Sequence, residues 1–567
     1  MAELSDNKKL KVGLLLDTLE PSNKNFEIIQ HLQKNKIFSE PIIFYGYTSS
    51  RKKLIFDSQH IFKSILLLSK KILQRIISRA IFEIEQVFVK NQYPDFGQQF
   101  LIKALPEAEK VELSGIWSKS QNFLEFSDND ILKITNKNID ILLRCGTGIL
   151  HGKILKAARF GILSMHHGDN RVNRGLPSGF WEVYEGHDSS GFIVQFLNTH
   201  LDAGKVVLRG NIPTAKLWLL NQVNLQHKSL IFLLKILDKI AVDKAIPPSE
   251  KFILNDSALN LFPKNRVLLM YILKILIPVI LRSLKDKMFG PYENHWSIGY
   301  AKHENFGRPI QNYKEISNPS GRFLADPFIH ITEDKKVIFA EDYDYRKQRG
   351  RISAIDVTNN EPIFLGPIID EEFHLSFPFI FEDEKKLFMI PESKAVSQIR
   401  LYECINFPME WKLNSILIKD LKAVDSMMIK RNGIYFLLTN ICSANTNDSS
   451  SELHIFFSEN LFSNEWQPFI ENPILFDSMR ARNAGLVNFN HSIYRVNQVQ
   501  TKNQYGKRFQ LNLIDVLEKN NYKESIVSTI SPTFKKDIIA THHFHAHKEY
   551  AVIDFCRKKS LKTILHS

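Results

Sequence analysis

Hydrophobic positions along this chain fall into three regimes. KVGLLLD (11–17) and IDILLRC (139–145) are short continuous apolar runs, the pattern of strands buried on both faces of a parallel sheet. FGILSMHH (160–167), GFIVQFL (191–197) and KVVLRGNI (205–212) predict three more strands, with a long helical periodicity over 60–93 and a short helix at 153–159. Strands alternating with helices predict a mostly parallel, Rossmann-like α/β domain over residues 1–215. Sites in such sheets lie beyond the carboxyl ends of the strands, where His166 and Asp169 fall. Residues 216–290 are helical and strongly apolar and read as a connector. From 291 to 567 the pattern turns to strands, and five segments repeat one form: polar head, apolar strand, polar turn, apolar strand. They are DPFIHITEDKKVIFAED from Asp326, FPFIFEDEKKLFMIPES from Phe377, DSMMIKRNGIYFLLTN from Asp425, NAGLVNFNHSIYRVNQ from Asn483 and HHFHAHKEYAVIDF from His542. Intervals of 51, 48, 58 and 59 residues predict a five-bladed β-propeller, because a β-sandwich with coincidental hairpins does not account for such regular spacing.

Composition narrows the picture. At 567 residues the chain exceeds a single core, and its 44% hydrophobic and 24% charged residues are ordinary for globular domains. The net charge of +13 favours anionic contacts, but it is spread along the chain without a recognisable nucleic-acid motif, so no nucleic-acid partner is expected. Cys145, Cys404, Cys442 and Cys556 have no CxxC spacing, which fits reduced thiols in a cytosol. The start, MAELSDNKKLKVGLLL, is too charged for a signal peptide, and a cytoplasmic protein is expected. VLLMYILKILIPVIL (267–281) carries Lys274 and Pro278 and is shorter than the ~20 residues of a spanning helix. A buried interdomain helix is the expectation. The alternative is peripheral contact with an anionic membrane, given the flanking Arg266, Arg282, Lys285 and Lys287. His543, His545 and His547 alternate along one strand and share a face, with His542 on the other; no metal is expected there.

GILSMHHGDNRVNRGLPSGFWEVYEG, followed by SSGFIVQFLNTHLDAGKVV, resembles the methionyl-tRNA, glycinamide-ribonucleotide and sugar-nucleotide formyltransferases over about 75 residues. The family's strand-end His falls on His166, its Arg-Gly on Arg174 and Gly175, its Pro on Pro177, and its Asp-x-Gly on Asp202 to Gly204. The resemblance implies transfer of a formyl group from 10-formyltetrahydrofolate to the amine of an amino sugar, nucleotide-linked or lipid-linked. His166 would be the catalytic imidazole, oriented by Asp202. The pterin would lie on the loop Arg144–Leu150, including Gly146 and Gly148, and Asp169, Arg174 and Gly175 would form the substrate loop. The family's Asn is replaced by Ser164 and its following Pro by His167, so the oxyanion donor would have to be Ser164 itself, His167, Asn170 or Asn173. An inactive, binding-only domain is the reading that this departure leaves open.

The second half resembles the N-terminal propeller of plant glucosamine inositol phosphorylceramide transferases and, more distantly, five-bladed glycosidases, through FLADPF (323–328), FHLSFPFIF (373–381) and MIPES (389–393). The resemblance implies a funnel that binds a glycan, with Asp326, Glu392 and Asp425 as its candidate carboxylates. Sugar binding is expected ahead of hydrolysis.

Overall fold

The computed structural model describes residues 9–19, 23–47, 61–96, 108–118, 123–172, 175–199, 204–250, 260–302, 313–359, 361–443, 448–502 and 504–566. Two compact units separate: residues 1–186, 190–210 and 215–277 form the first, and residues 187–189, 211–214 and 278–567 the second.

The first unit is built on a seven-stranded sheet of β1 (Val12–Leu15), β2 (Ile42–Tyr45), β3 (Glu109–Glu112), β4 (Ile141–Arg144), β5 (Ile162–His166), β6 (Ser189–Phe196) and β7 (Lys205–Pro213). Their order across the sheet is β7-β6-β5-β4-β1-β2-β3. Pairing is parallel from β5 through to β3, and antiparallel between β5 and β6. The apolar runs at 11–17 and 139–145 supply β1 and β4, whose residues are buried on both faces. One face is covered by α1 (Asn23–Lys34) and by part of a long helix from Trp218 to Asp243.

That long helix corrects the connector reading of 216–290. Leu230, Leu233, Leu237 and Ile240 recur at helical spacing and enter the same core as Val12, Leu14 and Ile141. With α2 as Ile61–Gln92 and α3 as Trp218–Asp243, the start of α3 shows how the unit is locked. Leu217, at its N-cap, offers no side-chain hydrogen bond. Instead the Trp218 amide donates to Tyr271 Oη at 2.8 Å and the Leu219 amide to Glu85 Oε2 at 2.6 Å, while Tyr271 donates to Glu85 Oε1 at 2.5 Å. A carboxyl at a helix start suits both the unpaired amides and the helix dipole. Burial raises the Glu85 pKa to about 7. Glu85→Ala leaves a buried amide and a buried hydroxyl unmatched and is expected to destabilise this unit by about 2–4 kcal/mol, read from its thermal unfolding transition. A loss below about 0.5 kcal/mol would contradict this role for Glu85.

Residues 265–289 run as α4 (Asn265–Tyr271), one π-helical turn (Ile272–Leu276) and α5 (Ile277–Phe289). The irregular turn is explained by Pro278, which has no amide to donate and crowds the carbonyl of the preceding turn. The segment is long and apolar enough to cross a membrane by length and composition, and only 17% of its most apolar stretch is buried. The expected buried interdomain helix is therefore corrected: an apolar run reports composition, and here most of it faces outward.

Among its described residues the second unit is a series of five antiparallel sheets. Each of the five repeat segments supplies a hairpin: β9/β10 (Arg322–Ile331, Lys336–Asp344), β11/β12 (Ser376–Asp383, Lys386–Glu392), β13/β14 (Ala423–Arg431, Ile434–Ile441), β15/β16 (Asn483–Phe489, Ser492–Thr501) and β17/β18 (Phe544–His547, Tyr550–Ser560). The fifth hairpin is completed by the first strand of the unit, β8 (Tyr292–Lys302), which pairs with β18 along eleven residues.

Candidate functional site

In the first unit the structure brings only part of the expected constellation into view. Asp202, Arg174 and Asn173 lie outside the described residues. His166 ends β5, as expected for a site beyond the strand ends. Ser164 is buried within the sheet, its hydroxyl in a long contact of 3.5 Å with the Met165 carbonyl. His167 Nε2 lies 3.0 Å from the Ser229 hydroxyl, and burial, helped by Lys24 and His166, holds its pKa well below the ordinary range. Asn170 Oδ1 accepts from Arg209, and Asp169 is bound by Arg171 and Arg209, whose cations outweigh burial and lower its pKa. These expected oxyanion and substrate groups are thus already engaged in holding their own loop. In the loop after β4, Arg144 donates to the Gly148 carbonyl, and Asp17 Oδ1 accepts from the Thr147 amide at 2.9 Å. A side chain at Gly146 would come within 2.5 Å of Asp17, and Leu150 is buried. The backbone at Asn260 accepts from the Leu176 amide at 3.0 Å and lies so close to Gly175 that a Cβ there would sit 1.9 Å from the Asn260 carbonyl oxygen. The expected substrate loop is therefore covered at Gly175 by a distant segment of the chain.

The second unit has a denser constellation. In four of the hairpins the first strand bulges near its start, and a residue at the bulge, or directly after it in the fourth, takes a left-handed backbone: Asp326 (φ 49°), Phe377 (φ 44°), Asp425 (φ 49°) and Gly485 (φ 128°). A bulge adds one residue against its partner strand and re-aims the side chain. For Asp this conformation is uncommon, and it is tolerated where the surroundings hold it. Opposite each bulge the second strand also ends in polar residues. Ala325 pairs Glu341, Ser376 pairs Glu392, Val424 pairs Asn440 and Asn483 pairs Asn497.

Asp326, Glu392 and Asp425, the three expected carboxylates, do come together, joined by Glu341, Asp554, Arg482 and His542. Arg482 Nε donates to Asp425 Oδ2, its Nη2 lies 3.9 Å from Glu392, its Nη1 donates to Ser449 at 2.6 Å, and its guanidinium sits 5.9 Å from the Tyr505 ring centre. His542 places Nδ1 2.6 Å from Asp554 and Nε2 3.5 Å from Asp326, under the ring of Trp296 at 3.9 Å. Burial pushes Asp326 up to about 7, with Asp425 and Asp554 adding to the shift and His542 and Arg482 opposing it. Burial likewise raises Asp425 to about 6 against the pull of Arg482, and raises Glu392 and Glu341. His542 is held above its ordinary value because Asp554 and Asp326 outweigh burial. Four buried carboxyls and the half-buried Glu392 thus face Arg482 and His542, with Lys394 acting on Glu392. Asp326, His542 and Asp554 also offer three ligand atoms within 4.8 Å of one another, a geometry open to a cation.

The histidine strand divides between two ends of the hairpins. His542 and His543 stand at the carboxylate end. His545 Nδ1 and His547 Nδ1 accept from the Ile329 and Ile331 amides at 3.2 and 3.0 Å, which leaves the ring proton on Nε2 and joins the fifth hairpin to the first. Both rings line a separate cavity of about 390 Å³ with His330, Asp383 and Lys430.

Residues 309–553 match the family model for the N-terminal region of glucosamine inositolphosphorylceramide transferase 1. The Arabidopsis thaliana protein of that name is 33% identical over 262 residues, 41% of this chain, and the match spans 34% of that relative's length. Among solved structures, a family 117 glycoside hydrolase from Zobellia galactanivorans is 10% identical with a TM-score of 0.31, over 48% of this chain and 93% of that one. A sugar N-formyltransferase from a Shewanella species is 12% identical with a TM-score of 0.26, over 45% and 76%. The match to the transferases corrects the expectation of formyl transfer: these relatives are named glucosamine inositolphosphorylceramide transferases, a glycosyl-transfer name and not a formyl-transfer one. N-formyltransferase activity and the 10-formyltetrahydrofolate co-substrate are set aside with it.

Proposed function

We propose that the second unit is a five-bladed propeller that binds an amino sugar at its carboxylate-rich end, and that the chain serves the assembly of a sugar-bearing lipid. The first unit, on this reading, keeps a formyltransferase-type α/β fold without that chemistry. The observation that carries the proposal is the excess of buried carboxyls over cations around Asp326. An ammonium group on a sugar would supply the missing positive charge, and the remaining carboxylates and Arg482 suit its hydroxyls. The name of the transferase relatives, which specifies glucosamine, supports the choice of sugar.

Calorimetric titration tests it. Glucosamine is expected to bind at least tenfold more tightly than glucose or N-acetylglucosamine, which lack the charge, and the affinity should rise between pH 5 and 7 as Asp326 and Asp425 ionise. Equal affinity for the three sugars would overturn the proposal.

A further inference from the structure

We infer that the first unit docks onto an anionic lipid surface through a patch formed where α2 meets the start of α4. Two segments far apart in sequence build it. The Gln74 side chain donates to the Pro263 carbonyl at 2.7 Å, and the Asn265 side chain donates to the Lys70 carbonyl at 3.1 Å. These bonds set the two segments side by side. Around them large apolar side chains face outward: Leu73 (47% exposed), Ile76 (59%), Leu261 (75%), Phe262 (43%), Leu269 (48%) and Leu273 (58%). Leu73 and Ile76 on α2 stand three residues apart, and Leu269 on α4 and Leu273 in the π-helical turn stand four apart, the spacing of one helical face. A contiguous outward apolar group of this kind marks an interaction surface.

The charges beside it select the partner. Lys70, Lys71, Arg75, Lys264, Arg266 and Lys274 are all exposed, and neither 69–79 nor 261–277 contains an Asp or Glu. Apolar side chains flanked by these cations, with no anion in either segment, match a bilayer interface carrying anionic headgroups. Crossing the bilayer is disfavoured by the inner face of the same helix. Leu268, Tyr271 and Leu276 are buried, and Tyr271 is hydrogen-bonded to Glu85 and to the Trp218 amide. A spanning helix would have to surrender those contacts and leave the Glu85 carboxyl buried without its hydroxyl partner. The surface therefore lies on the membrane and does not pass through it.

The test uses the full chain with two vesicle preparations, pure phosphatidylcholine and phosphatidylcholine with phosphatidylserine, in a flotation assay. Binding is expected to the anionic vesicles, at least tenfold stronger than to neutral ones, and to be released by alkaline carbonate. Leu269→Ser with Leu273→Ser should lower that binding about tenfold or more, with the thermal transition unchanged because both side chains are already in solvent. Lys70→Glu with Lys71→Glu, at exposed positions, should remove the preference for anionic lipid. Equal binding of wild type and both variants, absence of binding to either preparation, or retention after carbonate would each overturn the inference. A dimer in gel filtration that the same substitutions dissolve would overturn it in favour of a second copy of the chain.

Discussion

Replacing Arg495 with methionine is expected to destabilise the second unit by about 3–5 kcal/mol, read as a shift of its denaturant midpoint. Arg495 is fully buried, and every part of its guanidinium is used. Nε and Nη2 meet Glu524 at 2.7 Å each, Nη2 also donates to the Arg480 carbonyl at 2.8 Å, and Nη1 donates to the Ala481 carbonyl at 3.3 Å and to Asn483 at 3.2 Å. Glu524 is buried too, and its pKa stays below the ordinary range because Arg495 outweighs the cost of burial. Methionine fills much of the volume but leaves that carboxylate with only the Tyr522 hydroxyl and a longer contact to Arg480 at 3.4 Å. The double variant Arg495→Met, Glu524→Met should recover part of the loss, since no lone charge then remains inside. A single-variant loss under 1 kcal/mol would refute the assignment. Amino-sugar binding should weaken as well, because the carbonyls of Arg480 and Ala481 that Arg495 grips immediately precede Arg482.

The second large effect concerns pH. Asp326 has a folded pKa of about 7 against an ordinary 3.8, so the native state binds its proton more tightly than the unfolded chain. A group raised in this way contributes stability that is fully present below 3.8 and is lost as pH rises through 7. Three units at about 1.4 kcal/mol each set a ceiling on the order of 4 kcal/mol. Asp425 and His542 are also raised and act with the same sign. Wild-type thermal stability should therefore fall between pH 5 and 8, and Asp326→Asn should flatten that slope and be the more stable protein at pH 8. Asn is a clean replacement because it accepts the left-handed backbone at this position. The same variant should lose about tenfold in glucosamine affinity. Identical slopes for the two proteins would exclude Asp326 as the titrating group.

What the sequence disclosed follows from the range of the signals. The hairpins were legible because each is local: two alternating runs and a turn within about fifteen residues. Asp326 and Asp425 were legible as the polar heads of their repeats, and Glu392 as a polar end in PES. Glu341 and Asp554 occupy the matching ends of other segments, AED and IDF, so laying the five segments over one another would have found them. Arg482 stands one residue ahead of the fourth segment, where a charged residue before a strand reads as ordinary surface. In the first unit the strands were legible for the same local reason. The contact of Asn260 with Gly175 was not, because it joins positions more than eighty residues apart through backbone atoms that carry no sequence signature. The apolar stretch at 267–281 was misread as buried because hydrophobicity reports a preference for leaving water, and a membrane satisfies that preference as well as a core does.

The pairing of β8 with β18 has a consequence for the order of events during synthesis. Tyr292 lies opposite Ser560, so the first strand of the second unit waits for the last before it can be covered. At ~5–20 residues per second on the ribosome, that delay is tens of seconds, during which β8 has only the short pairing of Gly299 and Tyr300 with Glu315 and Lys314 along one edge. The four hairpins in between, each closed by its own local turn, can form in that interval, and the ends meet only afterwards. A rearranged gene that opens the chain between two central sheets and joins β18 to β8 through a short linker would remove the wait. Its nascent chain should need less chaperone assistance than the natural one, with the carboxylate end rebuilt unchanged.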